Sequence, residues 1–252
     1  MKLLTLARDL RRRKAREKNA LFVAEGVRSV EELLRSGLVV RGALVAPQLT
    51  EVPRGQKLRV QLDSAGVDVL EISEKDFLSA AETESPQGIL AIGAVPARSL
   101  DTLETGEVCR LLLLDGIQDP GNAGTIVRTA AALGATATIA LPGTVDLWNP
   151  KVIRSSMGAV FQHQALHAGL EETFGFLERR KIELWLADAG GEALTAVAPP
   201  SRLAIALGNE GSGVTTAVRS KSTKSVALRI APNVESLNVA VAAGIILHEL
   251  QA

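Results

Sequence analysis

Leu111-Leu-Leu-Leu114, followed by Asp115-Gly-Ile-Gln-Asp-Pro-Gly-Asn-Ala-Gly-Thr-Ile-Val-Arg128, is the stretch on which the fold turns. Four consecutive leucines suit a strand covered on both faces, as in a parallel sheet. A turn over 115–121 then leads into a helix over about 122–133, with Asn122 read as its N-cap and Gly134 as its C-cap. A helix that opens directly after a buried strand presents free N–H groups at the strand's C-terminal end. Gly121 and Gly124 leave room for another backbone or a ligand to approach. Arg128 lies nearly two turns into a helix of small and apolar residues, where the ordinary reading is an exposed surface arginine. The Gly-x-Gly-x-x-Gly pattern of dinucleotide folds is absent, which argues against a nicotinamide-dependent dehydrogenase.

Working outward, the same alternation of buried runs and helix-period runs continues. Strands are expected at 136–141, 162–166, 183–187, 203–207 and 226–230. Helices are expected at 150–157, 170–181, 214–220 and 236–250. Before the leucine run the chain reads as a second αβ block. It has a basic helix over 2–18, strands at 21–24, 42–46, 67–72 and 88–95, and helices at 27–36, 57–65 and 73–81. Helix–strand alternation argues a mostly parallel sheet in each block. Residues 96–107 lack periodicity and read as a linker, or as a short helix capped by Ser99. The domain boundaries are therefore expected at 1–97, with a linker over 98–109 and a second domain over 110–252. The fold class is α/β: a C-terminal, mostly parallel sheet with helices on both faces, plus a smaller N-terminal α/β domain.

Composition excludes several classes. The chain has 252 residues, and its 46% hydrophobic against 22% charged content is not that of a disordered protein. With 28 basic and 28 acidic residues it is not a uniformly basic nucleic-acid binder. Aromatics at 3%, without tyrosine, make an aromatic base-stacking platform improbable. One cysteine, Cys109, excludes an internal disulfide and a multi-cysteine zinc site. His163 and His167 fall on an expected strand without a carboxylate-rich ligand set, so they read as structural and no metal is expected. His248 reads as a helix-end residue, and Trp148 and Trp185 as core anchors. The longest nearly apolar stretch, 237–247, is about half of the roughly 20 residues a membrane span needs. No signal segment is evident, so a soluble, cytoplasmic protein is expected. Charge is nonetheless unevenly placed. Arg8, Arg11, Arg12, Arg13, Lys14, Arg16 and Lys18 face only Asp9 and Glu17, a cluster that suits either a solvated helix face or a phosphate-binding arm.

Two further polar islands interrupt the second block. Leu207-Gly-Asn-Glu-Gly-Ser-Gly213 follows a strand and carries three glycines in six residues, either a flexible turn or a backbone wrapped around a small molecule. Val234-Glu-Ser-Leu-Asn-Val-Ala-Val-Ala-Ala-Gly244 opens the last helix. Ser236 can cap it, whereas Asn238 needs hydrogen-bond partners in an otherwise apolar helix.

Taken in order, Asn122-x-Gly124-x-x-x-Arg128, Gly208-Asn-Glu-Gly211 and Ser236-Leu-Asn238-Val-Ala resemble the three signature motifs of the SpoU (TrmH-like) RNA 2′-O-ribose methyltransferases. Phe22-Val-Ala-Glu25-Gly26 is similar to the clearest stretch of that family's substrate-binding domain. The resemblance implies a deep C-terminal trefoil knot that holds S-adenosylmethionine, and a homodimer formed through the last helix. It implies cofactor contacts from Leu207, Gly208, Asn209, Gly211, Ile230 and Leu237. It implies catalytic roles for Arg128, Asn122, Ser236, Asn238 and Glu210, and RNA contacts from Arg8, Arg11, Arg12, Arg13, Lys14 and Glu25. A guanidinium, which stays protonated far above neutral pH, is a poor base. Arg128 is therefore expected to grip an RNA phosphate and stabilise the developing alkoxide, with Asn122 orienting it or the ribose. Glu210 is expected to anchor its loop or a neighbouring arginine, and Ser236 and Asn238 to position the hydroxyl. A separate first domain of this size favours large-subunit ribosomal RNA, with transfer RNA as the alternative substrate. A non-catalytic RNA-binding assembly factor is the alternative of another class.

Overall fold

The computed structural model describes residues 2–231 and 233–250 and divides into two compact units, one of residues up to Ala97 together with Trp148–Gln162, the other of Arg98–Leu147 together with the chain from His163.

The first unit is built on a mixed sheet of β1 (Leu21–Glu25), β2 (Val40–Val45), β3 (Val69–Glu71) and β4 (Ile89–Ala94) in the order β1-β4-β2-β3. Strand β4 runs antiparallel to both neighbours, and only β2 and β3 are parallel. The mostly parallel arrangement expected of this block is thus corrected. Alternation fixes the order of elements, whereas β4 returns to insert between β1 and β2 and sets direction by that placement. The expected 2–18 helix is two helices, Lys2–Asp9 and Arg13–Asn19. At the break the buried Arg16 guanidinium donates to the Leu10 and Arg11 carbonyls, both at 2.8 Å, which would otherwise be left open. Leu4, Ala7 and Leu10 close one face of the sheet with Leu44, Phe77 and Leu90. The Phe22 ring stacks on Trp148 (4.7 Å between centroids) and lies near Phe161 (5.4 Å). Opposite Phe22 stands Gly93, where a Cβ would lie 2.3 Å from the ring. Residues 148–162, read from sequence as part of the second block, carry their aromatic anchors into this unit.

In the second unit β5 (Cys109–Asp115), β6 (Ala137–Ala140), β7 (Ala165–His167), β8 (Glu183–Ala193), β9 (Arg202–Gly208) and β10 (Lys224–Ala227) form one sheet in the order β10-β8-β9-β5-β6-β7. Every pairing is parallel. Leu111 and Leu113 join a core with Phe176, Leu177 and Val218, while the buried Leu112 and Leu114 alternate to the other face. Helices Pro120–Ala132 and Val239–Glu249 pack on each other, with Gly244 close enough to Thr129 that an added Cβ would lie 3.4 Å from its methyl. Leu100 and Leu103 are buried in this core, and residues 98–108 form turns and no helix at Ser99. Among the described residues no helix is long and apolar enough to cross a membrane, and no cluster of three His, Cys, Asp or Glu is placed to hold a metal.

His163 is buried with Nε2 2.9 Å from Thr138 Oγ1, and desolvation, helped by the Arg98 charge, pulls its pKa down to about 4. The unfolded chain therefore binds a proton below about pH 6.5 that the folded chain refuses until about pH 4, so this group withdraws stability as pH falls through that window. His163→Gln is expected to reduce the acid sensitivity of the unfolding free energy between pH 6.5 and 4 by up to about 3 kcal/mol relative to the wild type. Urea melts across that range measure it, and parallel curves for the two proteins contradict it.

Candidate active site

Strands β5 and β9 are neighbours whose last residues pair, Asp115 with Gly208. Beyond that edge the chain turns one way into 116–119 and the other into 209–213, the geometry that opens a crevice at the C-terminal side of a parallel sheet. The buried Asp115 carboxylate accepts the Thr215 amide at 2.6 Å and so ties the exits of the two strands together. Asn209 braces the crevice: its Nδ2 donates to the Gly116 carbonyl (3.1 Å), and its Oδ1 accepts the Gly211 and Ser212 amides (2.9 and 3.1 Å). Reciprocal backbone bonds between Asn209 and Gly213 close the turn. At Gly208 a Cβ would lie 2.2 Å from Gly213 backbone carbon, so this position has no room for a side chain.

The helix after β5 starts earlier than expected. Asp119 is its N-cap and accepts the Asn122 amide at 2.8 Å, with Pro120 at the first helical position. Asn122, expected as the cap, sits one turn inside with its side chain released for other work. The last helix is shorter than expected, Val239–Glu249, and Asn238 rather than Ser236 is its N-cap, accepting from Ala240 and Val241 at 2.9 and 3.3 Å. Asn238 Nδ2 donates to Asn122 Oδ1 at 3.0 Å, and Asn122 Nδ2 donates to Glu210 Oε1. One hydrogen-bonded chain of two amides and a carboxylate thus links the three islands, running from the last helix through the first loop to the second.

Beside this chain lies a pocket with walls of Leu207, Leu228, Ile230, Leu237 and Val239 and a rim of Asn209, Glu210 and Ser236. Of the residues expected to hold a cofactor, Leu207, Gly208, Asn209, Ile230 and Leu237 line it, whereas Gly211 does not. Arg128 is exposed on the same helix as Asn122 and lies outside the pocket lining. Sequence reasoning missed Asp188, which also lines the pocket. Strand β8 was expected to end at Ala187, and the run Asp188-Ala-Gly-Gly191 was the available signal that it does not end plainly. The Asp188 carboxyl is held below its usual range by the Gly190 amide and by Arg219, whose guanidinium donates at 2.6 Å.

The residues expected to meet RNA belong to the first unit. Arg8 donates to Ser79 and reaches Asp76 at 3.4 Å, Arg11 approaches Glu82 at 4.0 Å, Arg12 pairs with Asp9, and Arg13 pairs with Glu17 at 2.7 Å. Lys14 is exposed. These pairs are solvent-facing and contribute little to stability, so the cations stay available to another anion. Glu25 is placed differently from these bases. It is 4% exposed, and its oxygens accept the Glu82 and Thr83 amides (2.9 and 3.2 Å) and the Thr83 hydroxyl, with Arg154 at 3.7 Å. A carboxylate so buried and satisfied braces the 82–83 turn.

Comparison with known proteins gives concordant matches. Residues 110–248 match the SpoU rRNA Methylase family and residues 5–91 the MRM3-like substrate binding domain. The chain is 33% identical to the 23S rRNA (guanosine(2553)-2′-O)-methyltransferase RlmP of Bacillus subtilis over 97% of its length and 94% of that protein. It is 30% identical to the 23S rRNA (uridine(2479)-2′-O)-methyltransferase of Streptomyces viridochromogenes over 94% of its length and 84% of that protein. Among solved structures, the SpoU methyltransferase AviRb of Streptomyces viridochromogenes, in complex with AdoMet, superposes with a TM-score of 0.91 at 27% identity, covering 98% of this chain and 96% of that one.

Gly208→Ala is expected to force the 209–213 turn away from β9 and to lower stability by about 1–3 kcal/mol. Gly211→Ala, whose Cβ meets nothing nearer than Asn209 Oδ1 at 3.5 Å, should change stability by under about 0.5 kcal/mol. Denaturant melts of the two variants decide the matter, and equal effects would refute the packing argument.

Proposed function

Since this chain belongs to the SpoU rRNA methylase family, we propose that it transfers the methyl group of S-adenosylmethionine to a ribose 2′-oxygen of large-subunit (23S) ribosomal RNA. The observation that carries the reading is the meeting of Asn122, Glu210 and Asn238, from three separate islands, in one hydrogen-bonded chain beside one pocket. A protein that only held RNA would have no need of that arrangement. Ribosomal rather than transfer RNA is favoured because two relatives that match nearly the whole chain, first domain included, carry 23S names.

The pocket suits the cofactor on the chain's own chemistry. Its walls are largely apolar, as an adenine requires, Gly208 brings bare backbone to its edge, and its two ionisable lining groups among the described residues, Asp188 and Glu210, are both carboxylates that can accept hydrogen bonds from a polar ligand. When bound, the cofactor supplies an activated methyl on a good leaving group, so the protein's task is alignment and charge. Leu207, Gly208, Asn209, Ile230 and Leu237 form the binding surface. Asn238 and Ser236 position the ribose hydroxyl. Asn122 holds Asn238 and Glu210 in register, and Glu210 anchors its loop through that bond. Arg128 binds an RNA phosphate and stabilises the negative charge that develops on the 2′-oxygen. Arg8, Arg11, Arg12, Arg13 and Lys14 hold phosphates without reading bases.

The family reading carries three further proposals. The segments 207–213 and 236–238, both of which give residues to one pocket, are the threads of a trefoil knot. Two copies associate through the last helix, where Val241 and Ile245 are exposed apolar residues. Acting on ribosomal RNA, the protein works in the cytoplasm.

Arg128→Ala is expected to lower kcat for ribose methylation by about 100- to 1,000-fold while leaving cofactor affinity within about threefold, because Arg128 lies outside the pocket lining. Arg128→Lys should restore part of the rate. Methylation assays and calorimetry on the same preparations check this, and full activity in the alanine variant would remove Arg128 from the mechanism. Mapping 2′-O-methylation in 23S rRNA with and without the gene tests the substrate, and an unchanged map contradicts it.

A further inference from the structure

Strand β8 leaves its ladder where the pocket begins. Its last residue in register with β9 is Leu186, paired with Ala206. On the other side the consecutive β10 residues Ser225 and Val226 pair with Leu186 and Glu192, so residues 187–191 are looped out against a single step of the neighbouring strand. Gly191 makes the loop feasible, because a Cβ there would lie 2.6 Å from the Ser225 and Val226 backbone. A bulge of this kind beside a binding crevice re-aims a side chain that would otherwise follow the pleat. The ionisable side chain it delivers to the pocket wall is Asp188.

We infer that Asp188 is a cofactor-binding residue, whose carboxylate accepts hydrogen bonds from the ribose hydroxyls of the nucleoside half of the methyl donor. The inference rests on the reading of this pocket as the S-adenosylmethionine site. Asp188 is fixed before any ligand arrives: Oδ1 accepts the Gly190 amide at 3.0 Å and Oδ2 accepts Arg219 at 2.6 Å. Each carboxylate oxygen has a second acceptor site left. Neutral hydroxyl donors can use those sites without displacing Arg219, whereas an ammonium or sulfonium would have to compete with a guanidinium already in place. An acidic residue at the C-terminal edge of a parallel sheet is also the general solution for a vicinal diol, since an anion accepts from two hydroxyls at once. Glu210, the other lining carboxylate, spends Oε1 on Asn122 and sits on the 209–213 turn rather than on the bulge.

The test is calorimetric titration of wild type, Asp188→Ala, Asp188→Asn and Arg219→Ala with three probes: S-adenosylhomocysteine, its 2′,3′-dideoxy counterpart, and 5′-methylthioadenosine, which lacks the amino-acid half. Wild type should bind the dideoxy compound roughly 10- to 100-fold more weakly than S-adenosylhomocysteine. In Asp188→Ala that difference should vanish, with both held at about the dideoxy affinity. Asp188→Asn, which keeps an acceptor for the Gly190 amide and guards against misfolding of the alanine variant, should narrow it. Arg219→Ala should retain it, because the arginine orients the carboxylate without meeting the ribose. Discrimination that survives in both Asp188 variants overturns the inference. So does a loss that falls equally on the diol and dideoxy compounds, or one confined to the probes that carry the ammonium. A wild-type protein that binds S-adenosylhomocysteine tightly yet ignores the diol overturns it while leaving the pocket reading intact. No binding of any probe removes both.

Discussion

The side chain of Asn122 has one donor group and one acceptor, and both are spent on other segments of the chain. Its amide nitrogen serves Glu210 and its oxygen is served by Asn238. Those partners stand 88 and 116 residues away in sequence, each at the start or turn of a different connection. An amide is suited to this because it donates and accepts at once, which a carboxylate or an ammonium cannot do. The arrangement also explains why Asp119 rather than Asn122 caps its helix. A side chain turned back to cap its own helix would point away from the last one. The site is therefore held by a side chain placed one turn inside a helix, on rigid backbone, rather than by loop residues alone.

The sheet supplies the frame for that amide. Parallel pairing runs along β5 and β9 to the last residue of each, so their exits emerge side by side. Asp115 and Asn209 then fasten the two exits across the gap, one by carboxylate and one by amide. Small residues do the complementary work. Gly208 admits the returning strand of its own turn, and Gly191 admits the β10 backbone at the bulge. Polar side chains draw the segments together, and missing side chains allow them to touch.

Much of this was legible in the residues. The leucine run, the alternation and the three polar islands give the parallel second unit and its functional edge, because buried strands and glycine-rich turns have local signatures. The hydrogen-bonded partners were not legible in detail. Which of Ser236 and Asn238 caps the last helix depends on where a distant amide lies, and propensity ranks the two nearly alike. Strand direction in the first unit escaped for a similar reason, since β4 takes its direction from the gap it fills. Glu25 was singled out by resemblance alone, and its hydrogen-bond partners, 57 and 58 residues on, could not be read from its own segment. Asp188 escaped because its bulge is defined by register against β10, which a single segment does not contain.

The path of the chain between β6 and β7 has a consequence for how this protein can be taken apart. After Leu147 the backbone leaves the second unit, gives Trp148 and Phe161 to the stack on Phe22, and returns at His163. A gene fragment opening near residue 98 would carry that stretch without the surface it covers, and one closing at residue 97 would leave a bare aromatic ring where a lid belongs. Three peptide crossings join the units instead of one. The two halves are discontinuous in sequence, and neither can be excised as a single uninterrupted piece with its core intact.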